Sequence, residues 1–170
     1  MERNGDIRRL CLDILAGAFP PAEAFEVSAA DARKLADRID SLVCPCPAHP
    51  TFLRRDLPVG WLRLVEMAIT TCCWRAEQEQ GSALLLLQCK EKFGELRLLF
   101  DVTGSEPLVA DIAALTSWAR QTSRGICAIF GTPATLTTEC WIVPLSGAAI
   151  ALRDRDRRQF RIRAVVPERA

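Results

Sequence analysis

The sequence predicts an α+β fold with N-terminal helices, a central β-hairpin, one further helix and a β-rich C-terminal region. In the N-terminal half, apolar residues recur at the spacing of amphipathic helices. Two apolar runs on either side of Gly94 alternate with polar residues as hairpin strands do. Short strand-like segments follow residue 135. The length of 170 residues indicates a single domain, 1–170, in which residues 1–50 form a helical arm.

Four helices are predicted from apolar residues at positions i, i+3, i+4 and i+7. Ser28 and Ser105 are the predicted N-caps of the second and fourth helices, because a serine hydroxyl accepts a hydrogen bond from the first helical turn. Pro20 stops the first helix, and Gly81 and Gly125 end the third and fourth. The predicted helices cover approximately residues 7–18, 31–43, 58–79 and 105–124.

The strands are predicted from apolar alternation and from the turn residues between them. Residues 83–89 are interpreted as a buried strand, residues 95–102 as its hairpin partner and residues 90–94 as the connection. Further strands are expected at 135–143, 148–153 and 159–166, the last of them within a basic C-terminal strand at 151–170. Four side chains are expected in the core: Trp61, Phe93, Leu98 and Trp118.

Composition excludes several classes of protein. Apolar residues make up 49% and charged residues 25% of the chain, which is typical of globular domains and not of disordered chains. The net charge of +1 excludes strong whole-molecule attraction to nucleic acid or to an anionic membrane. The apolar run at 83–87 is too short to span a bilayer, so no membrane partner is expected. There is one histidine, so histidine-based catalysis depends on His49 alone.

The chain has eight cysteines but no apolar signal-peptide core at its start, so we expect buried, reduced thiols and a cytoplasmic location. The best local metal candidate is Cys44-Pro-Cys46 followed by His49, because thiolates and imidazole are good zinc ligands. The spacing of the two cysteines is tighter than usual and a fourth ligand is missing nearby. A proline-stiffened loop is therefore predicted here, with no metal and no cofactor.

Residues 88–101 resemble the KEKFGGLRFY signature of a group of small bacterial and phage proteins. Further similarities follow in the same order: Gly60-Trp61 before an apolar helix, residues 117–131, and Trp141 before an apolar stretch. The similarity covers about residues 57–150. It implies a small treble-clef or ribbon-type zinc module attached to an α+β hairpin unit.

The sequence departs from that family where the metal ligands would stand. Cys127 keeps the first ligand position, but Phe130 occupies the second, and the second pair falls near Ser146 and Ala149. Since structural zinc needs four Cys or His ligands, the resemblance implies a degenerate knuckle without zinc. Phe130 is then expected to pack where the metal held the loops together.

The C-terminal tail from Arg153 to Arg163 contains six arginines and two aspartates. Guanidinium groups suit phosphate or carboxylate partners. The alternative is a polar turn whose arginines protect an edge strand from aggregation. This pattern does not predict nucleic-acid binding, which favours a larger basic field with exposed aromatic residues.

No nucleotide-binding, hydrolase or metalloprotease motif is present, so we expect no enzyme activity. The prediction is a non-catalytic, cytoplasmic protein-binding protein, specifically an immunity or antitoxin-type inhibitor of a bacterial toxin. This rests partly on association, since small single-domain proteins of this kind are common in toxin systems. The expected partner-binding residues are Trp74, Trp141, Arg153, Arg155, Arg157 and Arg158.

Two alternatives remain open on the sequence. One is a degenerate zinc-ribbon module that contacts nucleic acid or a nucleoprotein complex. The other is a cysteine or metal enzyme that uses His49. The near-neutral charge argues against a nuclease as the target of the predicted inhibitor, because inhibitors that cover a basic nuclease site are usually strongly acidic.

Overall fold

A computed structural model describes residues 2–43, 57–138 and 142–155. Within these ranges the chain is α+β, as predicted, with two separate two-stranded antiparallel sheets. The strands are β1 Ala83–Lys92, β2 Glu95–Thr103, β3 Thr135–Thr137 and β4 Val143–Leu145. The α-helices are α1 Glu2–Leu15, α2 Ala29–Val43, α3 Leu62–Glu77, α4 Glu106–Ser123 and α5 Gly147–Arg155.

Helix α3 lies at the centre of the core, with α1, α2 and α4 packed against it. The apolar stripe predicted for this segment is buried, and ion pairs at its borders join it to its neighbours. Arg38 on α2 pairs with Glu66, and Arg75 Nε lies 2.7 Å from Asp111 Oδ2 on α4. The buried stripe consists of Trp61, Leu64, Val65, Ala68, Ile69, Cys72 and Ala76.

The two predicted N-caps are confirmed. The Ser28 hydroxyl oxygen accepts from Asp31 N at 3.1 Å, and the Ser105 hydroxyl oxygen accepts from Leu108 N at 3.3 Å. Ser105 also donates its hydroxyl and its amide to the Glu79 carboxylate, at 2.7 and 2.6 Å. These bonds lower the pKa of Glu79 and fix the end of α3 beside the start of α4.

The β1–β2 hairpin contains a β-bulge between Leu86 and Gln88. A bulge adds one residue to one strand and so reverses which side chains face inward after it. Leu86 faces the core before the bulge and Cys89, fully buried, faces it afterwards. On the partner strand, Leu96 is buried, and Leu98 packs against the core while remaining half-buried. Helix α4 covers this inner face, mainly along β2.

The prediction that Phe93 belongs to the core is wrong. Both strands extend further than predicted, so that only Phe93 and Gly94 form the turn, with φ angles of 55° and 77°. A two-residue turn with both residues in the left-handed region matches the twist of a hairpin and directs its side chains to solvent. Phe93 is accordingly 67% exposed, and Lys92 Nζ lies 5.6 Å from its ring centroid.

We expect Phe93→Asn to stabilise the fold by about 0.5–1 kcal/mol. A bulky residue in the left-handed region is strained, whereas Asn-Gly is a preferred pair for this turn. Urea unfolding followed by circular dichroism measures the change, with Phe19→Asn as the control because Phe19 is exposed outside a turn of this kind. Destabilisation by Phe93→Asn would mean that the aromatic side chain packs on the turn in solution.

The C-terminal region is less β-rich than predicted. Residues 148–153, predicted as a strand, lie within helix α5, whose first turn is capped by the Ser146 hydroxyl accepting from Ala149 N at 3.4 Å. The predicted basic strand at 151–170 is therefore helical over residues 151–155. The remainder, including the predicted strand at 159–166, lies outside the described residues.

Candidate functional site

Residues 126–133 form a tight turn, which we call the knuckle after the position that the resemblance assigns to it. Ile126 pairs with Pro133 in an isolated bridge, and Cys127 N donates to Thr132 O at 2.7 Å. Within the turn, Gly131 N donates to Cys127 O at 2.9 Å, and Ile129 N donates to Cys127 Sγ at 3.4 Å. The backbone therefore wraps around the Cys127 sulfur.

Two distant segments of the chain hold this knuckle in place. Val27 N donates to Phe130 O at 2.9 Å, and Gly60 N donates to Ala128 O at 2.9 Å. The fully buried Trp61 donates its Nε1–H to Ile126 O at 3.1 Å. The knuckle is thus fixed to the helical core by backbone and indole hydrogen bonds.

The four positions that the resemblance assigns to metal ligands surround this knuckle. Ser146 donates its hydroxyl to Cys127 Sγ at 3.4 Å, and its oxygen accepts from Ala149 N. Cys127 and Ala149 are fully buried, while Phe130 packs half-buried against the core. Of these four side chains only that of Cys127 is a usual zinc ligand, so the donor set does not fit a four-ligand zinc site.

No three His, Cys, Asp or Glu side chains come together as a metal-binding group within residues 2–43, 57–138 and 142–155. The predictions for Cys44, Cys46 and His49 fall outside these ranges, as does Cys140.

Burial raises the pKa of four thiols. The pKa of Cys11 rises to about 11, mainly because burial disfavours the thiolate and secondarily because Asp111 is near. The pKa values of Cys72, Cys73 and Cys89 are raised for the same first reason. Because the thiolate is the nucleophile and the metal ligand, raised pKa values make these four side chains poor nucleophiles and poor metal ligands at neutral pH.

The outward side of the β1–β2 hairpin carries an exposed apolar surface, the outer leucine face, which consists of Leu85, Leu87 and Leu99. Their side chains are 43%, 53% and 53% exposed. The sheet has only two strands, and α4 covers only its inner side. The prediction that residues 83–89 form a fully buried strand is therefore wrong for every second residue.

The predicted partner-binding residues do not form one cluster among the described residues. Trp74 lies on α3, half-buried against the core. Arg153 and Arg155 lie near the end of α5, which packs mainly against β4, and Arg153 Nε donates to Asp154 Oδ1 at 3.0 Å. Trp141, Arg157 and Arg158 lie outside the described residues.

Sequence reasoning missed the outer leucine face, although a signal for it existed. A leucine run within an isolated two-stranded hairpin must expose half of its members, because the described fold has only one layer to cover them.

No helix in the described part of the chain combines the length and apolarity needed to cross a membrane. No protein-family model, curated protein or solved structure matches the chain. The resemblance to the KEKFGGLRFY-signature proteins therefore rests on sequence motifs alone and stays a prediction.

Proposed function

We propose that this protein is a non-catalytic protein-binding protein, and specifically an immunity or antitoxin-type inhibitor of a bacterial toxin. The supporting observation is the outer leucine face. Three leucines, each 43–53% exposed, lie close together on one side of the hairpin, around its β-bulge. Contiguous apolar surface on a folded domain is typical of protein interaction sites.

The chemistry of this face favours another protein as its occupant. Burying a leucine side chain completely contributes about 1.5–3 kcal/mol relative to leaving it exposed. These three side chains are already about half-covered, so their remaining contribution is smaller, yet it is concentrated in one patch. Such a patch forms the apolar centre that stable interfaces surround with a polar rim.

The charges around the outer leucine face differ at its two ends: Asp101 lies opposite Leu85, whereas the basic pair at the other end favours acidic groups on the partner. Lys90 and Arg97 are cross-strand neighbours, and Arg97 precedes Leu99 by two residues on the same strand. An inhibitor of a toxin with a basic nuclease site would instead carry acidic groups at this position. We infer a toxin whose contact surface is apolar at its centre and acidic on the side that meets Lys90 and Arg97.

The state of four of the eight thiols argues against these four as catalytic nucleophiles. A cysteine enzyme needs a thiolate with a base nearby. Burial keeps the thiols of Cys11, Cys72, Cys73 and Cys89 protonated.

The decisive experiment is purification of this protein together with the product of the adjacent gene. We expect a one-to-one complex of nanomolar affinity, about −12 kcal/mol, and rescue of cells from the neighbouring toxin. Leu87→Asp combined with Leu99→Asp should weaken the complex by about a hundredfold or more, since both charges would be buried in the interface.

The matched control is Leu12→Asp, a leucine that is 49% exposed on α1. This variant should bind and rescue like the unmodified protein, and thermal unfolding of all variants verifies that they are folded. A protein encoded next to a harmless gene, or a complex that is unaffected by the double substitution, would contradict the proposal.

A further inference from the structure

A groove lies between β2 and α4. Its volume is about 260 Å³. One wall is the β2 edge, and the other is one side of α4. The lining residues are Leu96, Arg97 and Leu98 from β2, and Ala113, Thr116, Ser117 and Arg120 from α4.

The backbone of β2 at this groove has an open strand edge. Leu96 N donates to Ser123 Oγ at 2.9 Å, so the amide of Leu96 points away from β1. Because backbone groups alternate along a strand, the N–H and C=O groups of Leu98 and Phe100 point the same way. β2 pairs with no strand other than β1 within the described ranges. The edge therefore offers the pattern of donors and acceptors that an extended polypeptide matches.

The groove also carries positive charge without enough acidic partners. Arg97 Nη2 lies 2.7 Å from Glu95 Oε2, but Glu95 also pairs with Arg124 at 3.2 Å. The Nε atom of Arg97 is buried and has no acceptor among the described residues. Arg120 is exposed and forms no ion pair in the part of the chain that the structure describes. Both arginines line the groove, so a carboxylate there would supply an acceptor that they lack in the described part of the chain.

We propose that this groove binds an extended acidic segment of a partner polypeptide, which adds to β2 as a third strand. Backbone hydrogen bonds to Leu98 and Phe100 hold the segment, and Arg97 and Arg120 select a carboxylate side chain. The inference rests on the proposed function, in that the segment belongs to the protein that also covers the outer leucine face.

Charge favours a partner over a second copy of this chain. Pairing two β2 edges antiparallel about a twofold axis would bring the arginines of both copies towards one another, and like charges that face each other across strands are destabilising. An acidic segment gains attraction at the same positions. The open backbone edge likewise suits a polypeptide, which supplies matching N–H and C=O groups.

The test is selection of phage-displayed twelve-residue peptides on the intact protein. We expect enriched sequences with alternating β-branched residues and at least one Asp or Glu, which bind as synthetic peptides with micromolar affinity. N-methylation of the alternate peptide amides that face β2 should weaken binding about tenfold or more, because each methyl group removes a strand hydrogen bond.

Two matched pairs of variants locate the binding. Ala113→Trp fills the groove and should weaken peptide binding at least tenfold, whereas Ala114→Trp, also exposed on α4 but outside the groove lining, should leave binding within about twofold. Arg97→Gln with Arg120→Gln should remove the preference for acidic peptides, whereas Arg33→Gln on α2 should not.

Several results would overturn the inference: no enriched peptide, enriched peptides without acidic residues, or equal binding to Ala113→Trp. Self-association that Ala113→Trp abolishes, measured by sedimentation, would assign the groove to a second copy instead. If the toxin complex survives Ala113→Trp but is lost in the outer leucine face variant, the groove proposal fails while the proposed function stands.

Discussion

Replacement of Gly60 by alanine is expected to destabilise the protein by about 3 kcal/mol or more, which is among the largest effects of single substitutions. A Cβ atom at this position would lie 2.1 Å from Cys127 O, 2.6 Å from Gly131 N and 2.8 Å from Phe130 N. All three are backbone atoms of the knuckle, so no side chain can move aside. The Gly60 amide would also lose its bond to Ala128 O when the segments separate.

Urea unfolding followed by far-ultraviolet circular dichroism measures this effect. Gly5→Ala is the matched control, because Gly5 lies in α1 with no atom within 4 Å of its would-be Cβ. Alanine is the better helix former, so this control should be neutral or stabilising by up to about 1 kcal/mol. A loss below about 1 kcal/mol for Gly60→Ala would show that the knuckle does not contact this residue.

Trp61→Ala is expected to cost about 3–5 kcal/mol, the range for removal of a large buried aromatic side chain. Trp61 is fully buried, and its indole N–H is the donor to Ile126 O at the start of the knuckle. Trp61→Phe should cost about 1–3 kcal/mol, because it keeps most of the apolar volume but leaves a buried carbonyl without its partner.

The control for Trp61→Phe is Trp74→Phe on α3, the helix that begins directly after Trp61. Trp74 is half-buried and packs at the border of the core. We expect a cost below about 1 kcal/mol there. Equal costs for the two phenylalanine variants, measured by the same urea unfolding, would contradict the importance of the indole hydrogen bond.

The helices α2, α3 and α4 were predictable because their sequences contain both the periodic stripe and the boundary signals. Ser105 has a hydroxyl that can cap a helix and stands before an acidic first turn, and the structure uses it in this way. The apolar stripe of α3 is long enough to exclude a strand. Local sequence therefore determined these elements without information from the rest of the fold.

Helix α5 was not predictable from alternation alone. Residues 148–153 contain apolar side chains whose spacing fits a strand and a short helix equally well. The serine at 146 was the available signal, since its hydroxyl caps the first turn. Phe93 was misplaced for a different reason, because the length of the hairpin turn depends on the register of both strands.

The candidate site was predictable only in part. Gly60 and Trp61 contact the knuckle at residues 126–131. The order of these motifs along the sequence does not predict this contact, because it depends on how the whole chain folds. The outer leucine face depends on what covers a sheet, which is a property of the whole fold. A period-two pattern shows that two faces exist, but it does not show which of them lacks a neighbouring layer.

The outer leucine face also determines how the protein behaves when it is alone. Its sheet has open lateral edges within the described chain, and exposed leucines beside such edges promote strand-to-strand aggregation. With a net charge of +1 and an isoelectric point of about 7.5, the molecules repel one another only weakly at neutral pH. The protein alone is therefore expected to precipitate or be degraded more readily as its concentration rises, whereas covering this face, as in the proposed complex, would keep it in solution.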